Sequence, residues 1–136
     1  MPSDIPSEER AFEAAYANDV NLLMRQLKLG ISPNAVDKDG ASLLYVATGP
    51  KAGTQVIRAL LDAGADPNRG QGKYTPLMNA SSWVNEAAVE LLLGSGADPN
   101  LKNENGETAL ETTGTAGGRE AVVKERIKRA QQGARR

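Results

Sequence analysis

Two pairs of carboxylates, Asp37 with Asp39 and Glu104 with Glu107, and the run Gly70-Gln71-Gly72-Lys73 are where this sequence could do chemistry. The pairs have the composition of a general acid and base, and the run has that of a phosphate cradle. Neither has the setting its chemistry needs. An acid–base pair requires an enclosed pocket that lifts one pKa, and both pairs lie among turn-forming residues. A phosphate loop requires a strand before it, a helix after it and a Lys-Ser or Lys-Thr end, whereas Lys73 is followed by Tyr74. Histidine and cysteine are both absent. That removes the usual general base, the thiol nucleophile, thiolate metal sites and disulfides together. No catalytic residue, metal site, cofactor or small-molecule substrate is expected, and the carboxylates read as exposed turn acids.

The turns that carry these residues recur, and so do the elements that must hold them. Gly64-Ala65-Asp66-Pro67-Asn68 returns as Gly96-Ala97-Asp98-Pro99-Asn100, with a weaker copy at Gly30-Ile31-Ser32-Pro33-Asn34. Leu44, Leu77 and Leu110 are 33 residues apart, as are Ser42, Thr75 and Thr108, and Ala14, Ala47, Ala80 and Thr113. Asp66 and Asp98 belong to the turn chemistry of that unit, since Asp and Pro initiate turns without a ligand. A period of 33 with a Thr75-Pro76-Leu77 core and Gly-Ala-Asp ends resembles the ankyrin repeat, a β-turn finger followed by two antiparallel helices. The resemblance implies an all-α ankyrin-repeat solenoid of four helix-turn-helix units with β-turn fingers. The units span about 8–36, 37–69, 70–102 and 103–130 of one domain, residues 1–136. No single unit can bury its own apolar face, so the four must stack.

The pattern predicts helices near 8–17, 20–29, 43–48, 53–63, 76–82, 86–95, 109–115 and 119–130, with no sheet beyond the fingers. Unit one, with Glu8, Glu9 and Glu13 facing outward, reads as the N-terminal cap, and Asn18 stands where the family usually has glycine. In unit two the inter-helix segment is one residue longer than in unit three. The finger of unit three departs from the pattern, with Lys73 where unit two has Gly40. Glu125 and Arg126 replace Leu91 and Leu92 in unit four; buried against a fifth unit they would be unpaired, so unit four reads as the C-terminal cap and 131–136 as a disordered basic tail. Phe12, Tyr45, Met78 and Glu111 stand at the family's histidine positions, so the resemblance implies fingers without that set of cross-links.

Charge is unevenly placed. Residues 1–118 hold 9 Lys and Arg against 15 Asp and Glu, while 119–136 hold 7 against 2. A basic segment can contact nucleic acid or an anionic surface, and Arg119, Lys124, Arg126, Lys128, Arg129, Arg135 and Arg136 would do so here. Lys and Arg also suit a helix C-terminus, and no aromatics are interleaved for base stacking, so a solvated last helix is the preferred reading. The start of the chain has no basic apolar leader, and no stretch approaches the ~20 apolar residues of a membrane span. A soluble, cytoplasmic protein is expected, or a periplasmic or secreted one where a leader has been removed.

Family resemblance implies that finger tips and the exposed ends of the first helices form a concave binding face. The matching positions are Tyr16 in unit one, Lys38 and Asp39 in unit two, Gln71, Tyr74, Ser82 and Trp83 in unit three, and Glu104, Asn105 and Glu107 in unit four. Trp and Tyr dominate interface hot spots, while solubility alone disfavours exposing them. The competing role for Trp83 is packing against Val84. The resulting expectation is a non-enzymatic monomer that binds one protein partner in a groove centred on Trp83 and Tyr74, as a small bacterial inhibitor that occludes an enzyme. The alternatives are an anion binder using the basic tail and an adaptor bridging two proteins.

Overall fold

Residues 5–49, 53–115 and 118–134 are described by the computed structural model. Seven helices fall into two layers among them: α1 (Glu8–Ala17), α3 (Leu43–Ala47) and α5 (Pro76–Ser82) inside, and α2 (Val20–Lys28), α4 (Thr54–Asp62), α6 (Glu86–Gly94) and α7 (Glu120–Ala134) outside. Each inner helix packs on the outer helix that follows it, and each layer stacks along itself.

The helices begin where side chains can satisfy their orphan amides. Ser7 accepts from Arg10 N, Asp19 from Leu22 N, Ser42 from Tyr45 N, Thr75 from Met78 N and Asn85 from Ala88 N. Pro76 occupies the first turn of α5, where it has no amide to leave unpaired. Small residues line the inner layer (Ala11, Ala14, Ala15, Ala47, Ala80), and branched aliphatics fill the outer one (Leu23, Ile57, Leu60, Val89, Leu92, Val123, Ile127); none is more than 1% exposed. Leu22 and Leu27 are half-buried beside Leu23. Gln26, outside the apolar pattern, is fully buried and its Oε1 accepts from Ser7 N at 2.8 Å, tying the start of α1 to α2. No helix among the described residues is long and apolar enough to cross a membrane.

Side chains in the loops join the units. Asn34 Oδ1 accepts from Asp66 N at 2.7 Å while its Nδ2 donates to Gly64 O at 3.2 Å, and Asn68 Oδ1 repeats the first contact with Asp98 N at 2.7 Å. Asp66 and Asp98 accept from the amides of Asn68 and Asn100, which closes each turn locally. Two of the four histidine-like positions bond within their own units. Met78 Sδ accepts from Thr75 N, and Glu111 Oε1 accepts from Thr108 N.

Unit four departs from the sequence expectation. Residues 109–112 form turns and no helix spans 109–115. The carbonyl of Ala109, which a helix would give to the Thr113 amide, accepts instead from the hydroxyls of Ser81, Thr112 and Thr113. The Thr113 amide turns to Leu110 O, and Gly114 N donates to Ser81 O in the preceding unit at 3.1 Å. Consecutive β-branched threonines followed by glycine supply little helix propensity to resist this. Leu110 is consequently half-buried, whereas Leu44 and Leu77 are each 1% exposed, so the three leucines are not equivalent.

At the C-terminus the helix runs past the expected boundary, through 131–134, so the tail placed at 131–136 is helical as far as Ala134; 135–136 lie outside the described residues. Gln131 Nε2 donates to Pro99 O and Thr108 Oγ1, which is why the helix continues. Arg119 and Arg126 reach back from the last unit to Glu86 and Glu90 of α6, each at 2.6 Å. Glu125 pairs with Arg129 on its own helix, and Glu125 and Arg126 both stay exposed.

Candidate partner-binding face

Fingers two and four are built alike. Asp37 Oδ1 accepts from the amides of Asp39 and Ala41, and Asn103 Oδ1 accepts from those of Asn105 and Glu107. Finger three has Gly70 at the corresponding position and no side chain to do this. It closes as a tight hairpin instead, with Gln71 N donating to Tyr74 O at 2.9 Å and Tyr74 N to Gln71 O at 3.0 Å. Gly72, at φ +56, supplies the left-handed residue that Gly40 and Gly106 supply one place later in their fingers. That shift places Lys73 on the wall of the groove. Gln71 Nε2 then donates to Asp39 O at 3.3 Å, and isolated bridge pairing joins Gln71 to Ala41, so fingers two and three are linked without a sheet.

Between fingers three and four lies a cleft of about 430 Å³. Gln71, Tyr74, Glu104, Asn105 and Glu107 line it, five of the ten expected binding residues, together with Lys73, Asn103 and Thr112. Tyr74 is half-buried, and its ring meets Tyr45 edge to face with centroids 6.1 Å apart and planes at 82°. Burial first and the neighbouring Tyr74 second raise the Tyr45 phenol above its ordinary value, so the Tyr45 ring is neutral at physiological pH. Glu107 Oε1 accepts from Asn103 Nδ2, which orients one carboxylate, while Glu104 and Asn105 are exposed at the tip.

The other five residues lie elsewhere. Lys38 and Asp39 are exposed on finger two, outside the cleft lining, and the Asp39 carbonyl accepts from the Gln71 side chain. Tyr16, 50% exposed, closes α1. Ser82 is half-buried and donates its hydroxyl back to Asn79 O at 2.8 Å, so its hydrogen is committed to its own helix. Trp83 is 51% exposed and ends α5. Tyr74 precedes that seven-residue helix and Trp83 follows it, so about 10 Å of helix separates two residues expected to centre one groove.

Val84, next to Trp83, was not among the expected residues. Its φ is +54, a conformation that a β-branched side chain resists at a cost of about 1–3 kcal/mol. The cause is the way α5 stops: Val84 N donates to Ser81 O and Asn85 N to Ala80 O, a closure that requires a left-handed residue. Asn18, two periods of 33 earlier, closes α1 in the same way at φ +56. The repeat register therefore holds the signal: the position where unit one has asparagine carries valine in unit three.

A family model described as ankyrin repeats, in three copies, matches residues 11–103. The chain is 32% identical over 108 residues to zygote-specific protein 3 of Chlamydomonas reinhardtii, covering 79% of this chain and 29% of that protein. It is 42% identical over 64 residues to 2-5A-dependent ribonuclease of Homo sapiens, 46% of this chain and 9% of that protein. With protein phosphatase 1 regulatory subunit 12A of Rattus norvegicus it shares 29% identity over 105 residues, 73% of this chain and 10% of that protein. The chain thus spans less than a third of the length of each of these relatives.

Proposed function

The chain belongs to the ankyrin-repeat family, whose units generally serve as non-catalytic protein-interaction modules, and from that premise we propose that it binds one protein partner through its concave face. The observation that carries this reading is the convergence of Gln71, Tyr74, Glu104, Asn105 and Glu107 on one cleft between two fingers. A cleft with an aromatic wall, a cation on one finger and carboxylates on the other has the mixture of apolar area and orienting polar groups that protein interfaces use. The finer role is a dedicated inhibitor that occludes a partner enzyme, acting as a monomer. A similar segment in a protein named as a phosphatase regulatory subunit is consistent with that role.

The anion-binding alternative loses much of its charge to internal pairing. Arg119, Arg126 and Arg129 face Glu86, Glu90 and Glu125, leaving Lys124 and Lys128 exposed on α7. Affinity capture followed by mass spectrometry should identify the partner, and capture repeated with a Tyr74→Ala, Glu104→Ala double variant should lose it. A Lys124→Ala, Lys128→Ala variant should retain it. The opposite pattern, with binding that collapses steeply on adding salt, would transfer the function to α7.

A further inference from the structure

We propose that Asn105-Gly106, at the tip of finger four, is a self-modification site whose conversion reshapes the cleft. The Gly106 backbone nitrogen, on losing its proton, forms a bond to Asn105 Cγ; the Cγ–Nδ2 bond breaks and ammonia leaves, giving a cyclic imide. Water then opens that ring at one of its two carbonyls, to aspartate or to isoaspartate, in which the main chain runs through Cγ. No oxidant, reductant or cofactor takes part. The chemistry stands by itself, and its consequence for binding rests on the concave-face reading.

Asn105 is the one asparagine of the chain followed by glycine. With no Cβ on the residue that supplies it, the attacking nitrogen is unhindered. Both residues are exposed, and the Asn105 side chain makes no hydrogen bond among the described residues, whereas those of Asn34, Asn68, Asn79, Asn85 and Asn103 are engaged. What restrains the reaction is the turn. Gly106 N donates to Asn103 O at 3.0 Å, and Asn103 Oδ1 accepts from Asn105 N at 2.9 Å and Glu107 N at 3.0 Å, so the proton is released only when the tip opens. Exposed tips open at little cost, which makes the conversion slow, continuous and slower still when a partner covers the cleft.

The product cannot keep the same turn. Asn103 N also donates to Glu107 O at 2.9 Å, and isoaspartate inserts one extra main-chain carbon into the loop that these bonds close. Either product adds a carboxylate beside Glu104 and Glu107, on the finger facing Lys73. Asp39-Gly40 holds the same place in finger two, with Asp39 N bound to Asp37 Oδ1 and Gly40 N to Asp37 O. A carboxylate closes the ring only by expelling water and accepts a nucleophile poorly, so finger two is the slow reference for finger four.

Incubation of the full chain in mildly alkaline buffer, followed by peptide mapping and enzymatic methylation of isoaspartate, should show conversion at Asn105 several-fold faster than at the other asparagines or at Asp39. Asn103→Ala should quicken conversion at Asn105 alone, and Asn103→Asp, which keeps the acceptor as Asp37 does, should not. Asn105→Gln, which must close a larger ring, should stop it. The aged native chain should show faster amide exchange at Glu107 and several-fold weaker binding of the captured partner than the fresh chain, while aged Asn105→Gln should match its own fresh sample in both. Conversion at Asn105 no faster than elsewhere, or unmoved by Asn103→Ala, would overturn the site. Unchanged exchange and binding after conversion would overturn its effect on the cleft. If the native chain captures no protein partner, the wider reading fails while the mapping and exchange results still stand.

Discussion

Tyr74, on the wall of the cleft, is braced edge to face by Tyr45, which stands 33 residues before Met78 in the repeat register and lies in a different unit's helix, α3. The ring that the groove offers to a partner is thus part of the contact between units two and three. Edge-to-face pairs contribute about 0.5–1.5 kcal/mol beyond the area they bury.

A substitution at position 74 should consequently act twice. Tyr74→Ala is expected to lower stability by about 1–3 kcal/mol, more than an ordinary surface truncation, and to weaken partner binding as well. Tyr74→Phe keeps the ring pair and should melt as the native chain does. Thermal melts by circular dichroism and titration calorimetry against the captured partner separate the two effects; equal melting of Tyr74→Ala and the native chain would show that the brace contributes nothing.

Alkaline pH should find the same pair. In the unfolded chain the Tyr45 phenol ionises near its ordinary value of 10.0, and in the folded chain it does so higher. The folded state therefore binds more protons in that window, and this contribution to stability is complete below about pH 10 and lost as pH rises through the folded pKa. Tyr45→Phe should flatten that part of the stability profile. Urea titrations across the alkaline range, read by circular dichroism, would test it.

The leucines at the repeat positions should not be interchangeable. Leu77→Ala is expected to cost about 2–5 kcal/mol, since the side chain is wholly enclosed. Half-buried Leu110→Ala should cost clearly less, and exposed Glu125→Ala should fall within about 0.5 kcal/mol of the native chain. A ranking by thermal melts in which Leu110 equals Leu77 would mean that unit four packs as a complete repeat.

Truncation after Ala130 should leave partner binding within a few-fold but not leave the fold untouched. It removes Gln131 and its bonds to Pro99 O and Thr108 Oγ1, at 3.1 and 3.2 Å, for an expected loss of about 0.5–1.5 kcal/mol each at most. Gln131→Ala in the full chain should reproduce most of that loss, and unchanged melting in both would assign the C-terminal turn of α7 no structural role.

The architecture was legible because the repeat writes the same physical instructions several times. Thr75 before Pro76, Asp19 and Asn85 before helices, and Leu44 and Leu77 on a 33-residue spacing each specify a local start or a buried face, and the structure uses them so. The missing helix of unit four was not legible, because Thr112, Thr113 and Gly114 are merely poor helix formers; what decides the outcome is a hydroxyl and a carbonyl supplied by unit three. For the cleft, Gln71, Tyr74, Glu104, Asn105 and Glu107 could be drawn from the register, whereas Lys73 could not. Its place on the wall follows from a finger that closes one residue early, a consequence of Gly70 standing where the other fingers have Asp37 and Asn103. The strain at Val84 was written in the register beside Asn18 but needed the backbone angle to be noticed.

Unit four takes from unit three the hydrogen bonds that its own inner helix would otherwise make, and this gives assembly of the chain a direction. An ordinary repeat can nucleate by itself and wait for neighbours, but the Gly114 amide has its partner, Ser81 O, only once α5 is in place. During synthesis unit four would then emerge to find a finished template, and it would close by docking rather than by winding a new inner helix. The same dependence makes that unit the first to open: amide exchange at Thr112–Gly114 should track the local opening of unit three's turn at Ser81–Val84.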